Sequence, residues 1–203
     1  MEKVIVTLAQ KIWKPLKPWC AAIALLLVLR YTGALSAISY ATGSALMHTG
    51  IMDADTDEPA VVRKFNYNFK ISDLQGKVSH ANVFKNKVVF LNIWATWCGP
   101  CRMEMPSIQS LYNQVDTSKV AFIMLSVDRS QDLEKVKSYV KEKGFTFPVY
   151  VPAGTLPNQL QVSSIPSTFV VSPDGKIATS ESGASNYDTP EFRAFLKGLL
   201  SPL

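Results

Sequence analysis

The sequence is poor in metal ligands, with three cysteines and two histidines among 203 residues. A structural zinc site takes four ligands, so the pair Cys98 and Cys101 would supply only half of one. The other candidates are Cys20, in an apolar stretch, and His48 and His80, and no further ligand neighbours His80. We therefore predict that the chain holds no metal.

An excess of one charge sign is also missing from most of the chain. Residues 1–51 carry five basic groups and one acid, whereas residues 52–203 carry 16 basic and 15 acidic groups. The net charge of +5 therefore belongs mainly to the N-terminal quarter. A nearly neutral remainder has no field with which to attract phosphates, so the composition argues against nucleic-acid binding.

The most apolar stretch of the chain lies near its N-terminus. Residues 1–18, with four lysines, are predicted to be a cytoplasmic basic segment, and residues 19–47 a transmembrane signal-anchor. The 22 residues from Trp19 to Tyr40 would form a helix of about 33 Å, enough for a hydrocarbon core of about 30 Å. Arg30 would cost roughly 2.5–3.5 kcal/mol inside the membrane. A cleaved signal peptide and a buried helix of a soluble domain therefore stay open as alternatives.

The remainder of the chain has the pattern of a linker followed by one α/β domain. Residues 48–64 mix acidic and basic groups without periodicity and are predicted as the linker; residues 65–203 form the domain. Strands that alternate with helices, followed by a hairpin and a closing helix, indicate a mixed sheet. The predicted strands are Phe69–Ile71, Lys87–Trp94, Val120–Val127, Phe147–Val151, Ser167–Val171 and Lys176–Thr179, and the predicted helices run from Pro100 to Gln114, Asp132 to Lys143 and Pro190 to Leu200.

The most informative segment is the sequence WCGPC at residues 97–101, directly after a buried strand and at the start of a helix. Two cysteines three residues apart at a helix start lie on one side of the turn and can close a disulfide with little chain movement. Free backbone N–H groups and the helix dipole stabilise a thiolate there, so the pKa of the Cys98 thiol is expected below that of a free thiol. Pro100 suits the first turn, where its missing N–H has no partner. A structural disulfide remains an alternative, although closing so short a loop adds little stability.

This segment resembles the TlpA/ResA-like thiol-disulfide oxidoreductases of the thioredoxin superfamily. The likeness rests on residues 87–104, KVVFLNIWATWCGPCRME, on Pro106, and on the later run VSSIPSTF at residues 162–169. It extends over about residues 65–200. The resemblance implies a thioredoxin-like fold, with helices flanking a mixed central sheet. The N-terminal membrane anchor is predicted separately, from the apolar segment and the charges on either side of it. It also implies a redox-active Cys98–Cys101 disulfide and no other cofactor.

The resemblance also assigns residues around the cysteines. The later run carries a cis proline in that superfamily, which matches Pro166, and a cis bond would let Ile165 present its backbone to an extended substrate. Trp97, Gly99 and Pro100 complete the expected substrate-binding surface.

Glu104 lies three residues after Cys101, on the same helical face. In ResA-like proteins its counterpart takes the proton from the second cysteine, and a solvated helix carboxylate without such a role is the alternative interpretation. Where thioredoxins carry a buried acid six residues before the first cysteine, this chain has Asn92. The thioredoxin proton relay therefore cannot be transferred to it.

The sequence thus predicts an exported thiol-disulfide oxidoreductase on the periplasmic side of the inner membrane, anchored by a single span. Cys98 would attack the disulfide of an exported protein, with apocytochrome c among the substrates that the resemblance implies, and Cys101 would release the product. A reductase in an oxidising compartment needs a membrane electron donor. The alternatives are a disulfide oxidase or isomerase and a non-catalytic thiol metallochaperone or binding module. A peroxide-reducing role would need a lone activated cysteine.

Overall fold

A computed structural model describes residues 52–56 and 63–200, together with scattered positions between residues 18 and 49. The chain divides into two units, residues 1–43 and 44–203. Residues 1–17 of the predicted basic segment and most of the predicted anchor 19–47 lie outside the described residues. Within the described part of the chain, no helix combines the length and the apolar character needed to cross a membrane.

Residues 63–200 contain a mixed sheet of seven strands and three α-helices, and this confirms the predicted α/β class with a mixed sheet. The strands stand in the order β2-β1-β5-β4-β3-β6-β7. The neighbours β3, β4 and β5 run parallel, and the other pairs are antiparallel. The elements are β1 Lys70–Asp73, β2 Val78–His80, β3 Val88–Trp94, α1 Gly99–Gln114, β4 Val120–Ser126, α2 Leu133–Lys143, β5 Val149–Pro152, β6 Ser167–Val171, β7 Ile177–Ser182 and α3 Pro190–Gly198.

Two strands show the largest differences from the prediction, whereas the bounds of the other strands and of the helices agree within two residues. β2 was not expected, because a three-residue edge strand is too short to show an alternating pattern. β7 continues to Ser182, beyond the predicted end at Thr179. Pairing with β6 supports the extension, since Ser182 lies opposite Ser167.

Strands β3 and β4 form the centre of the domain, and all seven residues of each are buried. Successive side chains of a strand point to opposite faces of the sheet. Phe90 and Trp94 therefore join the core beneath the three helices, whereas Leu91 and Ile93 join the core on the other face. Asn92 lies between Phe90 and Trp94 in this alternation, so its polar side chain points into the helix-covered core.

Helix α1 begins at Gly99, after a short loop that follows the end of β3 at Trp94. Cys98 is its N-cap and has an extended backbone, and Pro100 occupies one of the first two helical positions. The helix continues through Pro106 to Gln114. Its buried face consists of Cys101, Glu104, Met105, Ile108 and Leu111. Cys101 therefore packs into the core on the same helical face as Glu104.

A short segment of the predicted linker, residues 52–56, packs against the domain; we call it the strap. Asp53 forms a parallel bridge with Asn186. The Ala54 side chain is buried and belongs to the helix-covered core. The strap ends beside β7, where the Asp55 N–H donates to Glu181 Oε1 at 3.1 Å.

Candidate active site

Cys98 and Cys101 form a disulfide at the N-terminus of α1. The Cys101 N–H donates to Cys98 Sγ at 3.2 Å, so the sulfur accepts one of the free backbone donors of the first turn. Cys101 is fully buried, whereas Cys98 keeps 5% of its surface exposed. An incoming group can therefore reach the pair only through Cys98.

The surface around Cys98 brings together the other predicted contact residues. Trp97 exposes 68% of its surface. A Cβ added at Gly99 would meet no atom within 4 Å, so the space above the motif is open. The Ile165–Pro166 peptide bond is cis, as expected, and the Ile165 carbonyl oxygen lies 3.7 Å from Cys98 Sγ. An exposed indole ring and the carbonyl group of the half-buried Ile165 thus lie on either side of the sulfur.

Glu104 lies in the buried interior with both carboxylate oxygens hydrogen-bonded. Its Oε1 accepts from Asn92 Nδ2 at 2.7 Å, and its Oε2 accepts from the Ser185 N–H at 3.2 Å. Burial raises the pKa of Glu104 from 4.5 to about 8, although both hydrogen bonds act to lower it. The site therefore holds a carboxyl group that takes up or releases a proton near neutral pH.

The partners of Glu104 form a buried polar group beneath the disulfide. Asn92 and Thr168 are opposite each other on β3 and β6, and Asn92 Nδ2 also donates to Thr168 Oγ1 at 2.9 Å. Among the described residues, Asn92 Oδ1 is one of the buried side-chain atoms without a hydrogen-bond partner. Burial and the neighbouring Glu104 raise the pKa of Tyr187 well above its usual value. From the sequence, Asn92 was recognised only as a difference from thioredoxins. No sequence feature indicated that Ser185 and Tyr187 lie beside Glu104.

A second polar cluster holds the loop that precedes the cysteines, and sequence analysis missed it. Asp128 Oδ2 accepts from the Thr96 N–H at 2.9 Å and from Ser126 Oγ at 2.8 Å, while Asp128 Oδ1 accepts from Thr96 Oγ1 at 2.6 Å. Both Thr96 and Asp128 follow the carboxyl ends of neighbouring parallel strands. That position was the available signal, because side chains after adjacent parallel strands meet at one edge of the sheet.

Replacing Asp128 by alanine is expected to destabilise the domain by about 2–3 kcal/mol, because buried donors on Thr96 and Ser126 lose a charged acceptor. Urea unfolding of the oxidised protein at pH 7 measures the change. The matched control is Glu134→Ala, which removes an exposed carboxylate paired with Lys137 and is expected to have little effect. Equal stabilities of the two variants would show that this cluster does not hold the loop.

Comparison with known proteins agrees with this geometry. The profile of the AhpC/TSA family matches residues 62–180. A thiol-disulfide oxidoreductase ResA of Bacillus cereus is 38% identical over 111 residues, which cover 54% of this chain and 63% of that protein, just under two thirds of it. ResA of Bacillus thuringiensis subsp. konkukian is 37% identical over 122 residues, 60% of this chain and 69% of that protein.

A solved structure gives the same result for the fold. The thiol:disulfide interchange protein of the thioredoxin family from Chlorobium tepidum TLS superposes with a TM-score of 0.55 at 25% identity, over 70% of this chain and 100% of that one. The helix-capping disulfide therefore occurs on a thioredoxin-like scaffold. The chain belongs to the AhpC/TSA family of the thioredoxin superfamily, among the ResA-like thiol-disulfide oxidoreductases.

Proposed function

We propose that the protein reduces disulfide bonds in exported proteins through a Cys98/Cys101 dithiol-disulfide cycle. The observation that carries the proposal is the position of the disulfide: it caps α1, only Cys98 reaches the surface, and Trp97 and the Ile165 backbone flank it. A disulfide with a purely structural role does not need an open, partly apolar surface beside its exposed sulfur.

In the proposed reaction the reduced protein begins with Cys98 as the thiolate. Cys98 attacks one sulfur of the substrate disulfide, the substrate S–S bond breaks, and the other substrate sulfur leaves as a thiolate that takes a proton from water. Cys101 then attacks Cys98, which forms the Cys98–Cys101 bond and releases the second substrate thiolate. The substrate gains two electrons, and the cysteine pair loses them.

The ionised form of Glu104, which is the minor form at neutral pH and the major form above about pH 8, is proposed to take the proton that Cys101 must lose before it attacks. A pKa of about 8 for Glu104 is close to the ordinary value of a cysteine thiol, about 8.5, so transfer between the two costs little free energy. Once the disulfide has formed, the carboxyl group stays protonated at neutral pH. It can then return the proton to Cys101 when a donor reduces the disulfide.

The N-terminal part of the chain supports an extracytoplasmic location for this chemistry. Four lysines precede the apolar segment and acidic residues follow it, which orients an inserted helix with its N-terminus in the cytoplasm. We propose that residues 19–47 tether the domain to the inner membrane on the periplasmic side, with residues 48–64 between them. A membrane protein would supply the electrons. Apocytochrome c cysteines are the proposed substrates by family resemblance.

The reduction potential tests the proposed direction. Equilibration of the protein with a glutathione series is expected to give a potential below about −200 mV, near reducing couples such as thioredoxin and far from the strong oxidant DsbA at about −120 mV. The redox state is read from alkylation of Cys98 and Cys101 by mass spectrometry, and the Cys98→Ser variant should show no transition. A potential near −120 mV would instead identify a disulfide oxidase.

A further inference from the structure

The strap makes its main contacts with one residue of the loop between β7 and α3. The Asn186 N–H donates to the Met52 carbonyl at 2.6 Å, and the Ala54 N–H donates to the Asn186 carbonyl at 3.0 Å. Asn186 Nδ2 also donates to Asp53 Oδ1 at 2.9 Å. Both backbone groups of Asn186 and its side-chain amide nitrogen are therefore hydrogen-bonded to strap residues.

The residues on either side of Asn186 face α1. The Ser185 N–H donates to Glu104 Oε2, and the Tyr187 N–H donates to Ser107 Oγ at 3.2 Å. Ser107 Oγ in turn donates to the Glu104 carbonyl at 2.8 Å. The loop thus lies between α1 on one side and the strap on the other. One of its backbone donors, the Ser185 N–H, is hydrogen-bonded to the Glu104 carboxylate.

We propose that the strap positions the Ser185 N–H against Glu104 and thereby sets the proton affinity of this carboxyl group. The inference rests on the proposed role of Glu104 in the redox cycle. Ala54 and Asn186 are positioning residues, because they act on Glu104 only through the backbone of Ser185. The segment that follows the predicted anchor is then part of the working site and not a passive tether.

The direction of the effect follows from the hydrogen bond. A donor to the charged form of an acid stabilises the carboxylate, so its loss raises the pKa. The Ser185 N–H is one of the two donors that lower the pKa of Glu104, and the other is Asn92. Asn92 is held by its bond to Thr168 on β6, which does not depend on the strap. Loosening the strap should therefore remove one donor and leave the other in place.

The other groups around Glu104 do not explain such a change. Cys101, on the same helix, cannot titrate while the disulfide is intact. Tyr187, from the loop, has a pKa raised well above its usual value and is neutral near pH 8. Glu181 on β7 faces Tyr187 and is bonded to the strap through Asp55, and burial raises its pKa. A substitution in the strap could therefore also change the pKa of Glu181. Following the Glu104 signal directly distinguishes its titration from that of Glu181.

The test is the Ala54→Pro variant of the full chain in detergent micelles, with carbon-13-labelled glutamate. Proline removes the N–H that bonds to Asn186 and is compatible with an extended segment. The Glu104 carboxyl signal of the oxidised protein, assigned by its loss in Glu104→Gln, is followed by NMR from pH 4 to 10. We expect the midpoint to rise by about 0.5–1 pH unit, a three- to tenfold higher proton affinity. Thr56→Pro, which leaves the Ala54–Asn186 bond in place, is expected to keep the wild-type midpoint.

The midpoints of these variants decide the proposal. A folded Ala54→Pro variant with the wild-type midpoint overturns it, as does an equal shift in Thr56→Pro. If Ala54→Pro does not fold, Asp53→Ala replaces it, with Asp53→Asn as a control that removes the charge but keeps an acceptor for Asn186. A higher Glu104 midpoint in Asp53→Ala than in Asp53→Asn supports the proposal, and equal midpoints overturn it. Because the titration involves no electron transfer, a shifted midpoint in a protein without reductase activity would reject the proposed function alone.

Discussion

Replacing Cys98 by serine is expected to lower disulfide reduction by at least about 1,000-fold, to the background rate without enzyme. Serine offers no thiolate, and the remaining Cys101 is fully buried, so no second sulfur can accept the attack from outside. Turbidity from the reduction of insulin by dithiothreitol measures the activity. Exposed Cys20 lies outside the domain, and Cys20→Ser is the matched control that should keep the wild-type rate.

The complementary variant Cys101→Ser is expected to stop the reaction halfway. Cys98 still forms the mixed disulfide, but no buried thiol remains to release it, so the covalent complex accumulates. Non-reducing gels after expression in cells would show higher-mass species that disappear when dithiothreitol reduces the mixed disulfide. Mass spectrometry would identify the trapped partners. Retained insulin reduction in Cys98→Ser, or the absence of mixed disulfides in Cys101→Ser, would favour a binding module over an enzyme.

Replacing Glu104 by glutamine is expected to change how stability depends on pH. The wild-type carboxyl group has a pKa of 4.5 when unfolded and about 8 when folded. Between these values the folded state holds the proton and the unfolded state does not, so stability falls as the pH rises. The contribution is complete below pH 4.5 and lost by about pH 8, with a slope of up to about 1.4 kcal/mol per pH unit. Glutamine does not titrate, so this slope should disappear.

Urea unfolding of the oxidised protein at several pH values between 4.5 and 8.5 measures this effect. Keeping the disulfide intact removes the cysteine thiols from the titration. Glu142→Gln, at an exposed position of α2, is the matched control and should keep the wild-type slope. Parallel stability curves for the wild type and Glu104→Gln would mean that Glu104 stays ionised in the folded state and cannot store the proton of Cys101.

Much of the scaffold could be predicted from the sequence because its signals are local. The apolar runs of β3 and β4 predict buried central strands, and the spacing of Met105, Ile108 and Leu111 predicts the buried face of α1. The cysteine pair beside Pro100 predicts a helix start with a reactive sulfur. Elements with weaker patterns were less predictable, since β2 has three residues and its pairing partner in the sheet decides its conformation.

The sequence by itself therefore determined the class of fold, the cysteine pair, the position of Pro166 and the chemistry of sulfur exchange. Only the tertiary structure decided what surrounds Glu104, because its partners Asn92 and Ser185 lie 12 and 81 positions away along the chain. The register of β3 against β6 brings Thr168 to Asn92, and the packing of the strap brings Ala54 to Asn186. A single carboxyl residue on a helix is the same in sequence whether it faces water or a sealed core, and its burial is what raises its pKa to the range of a thiol.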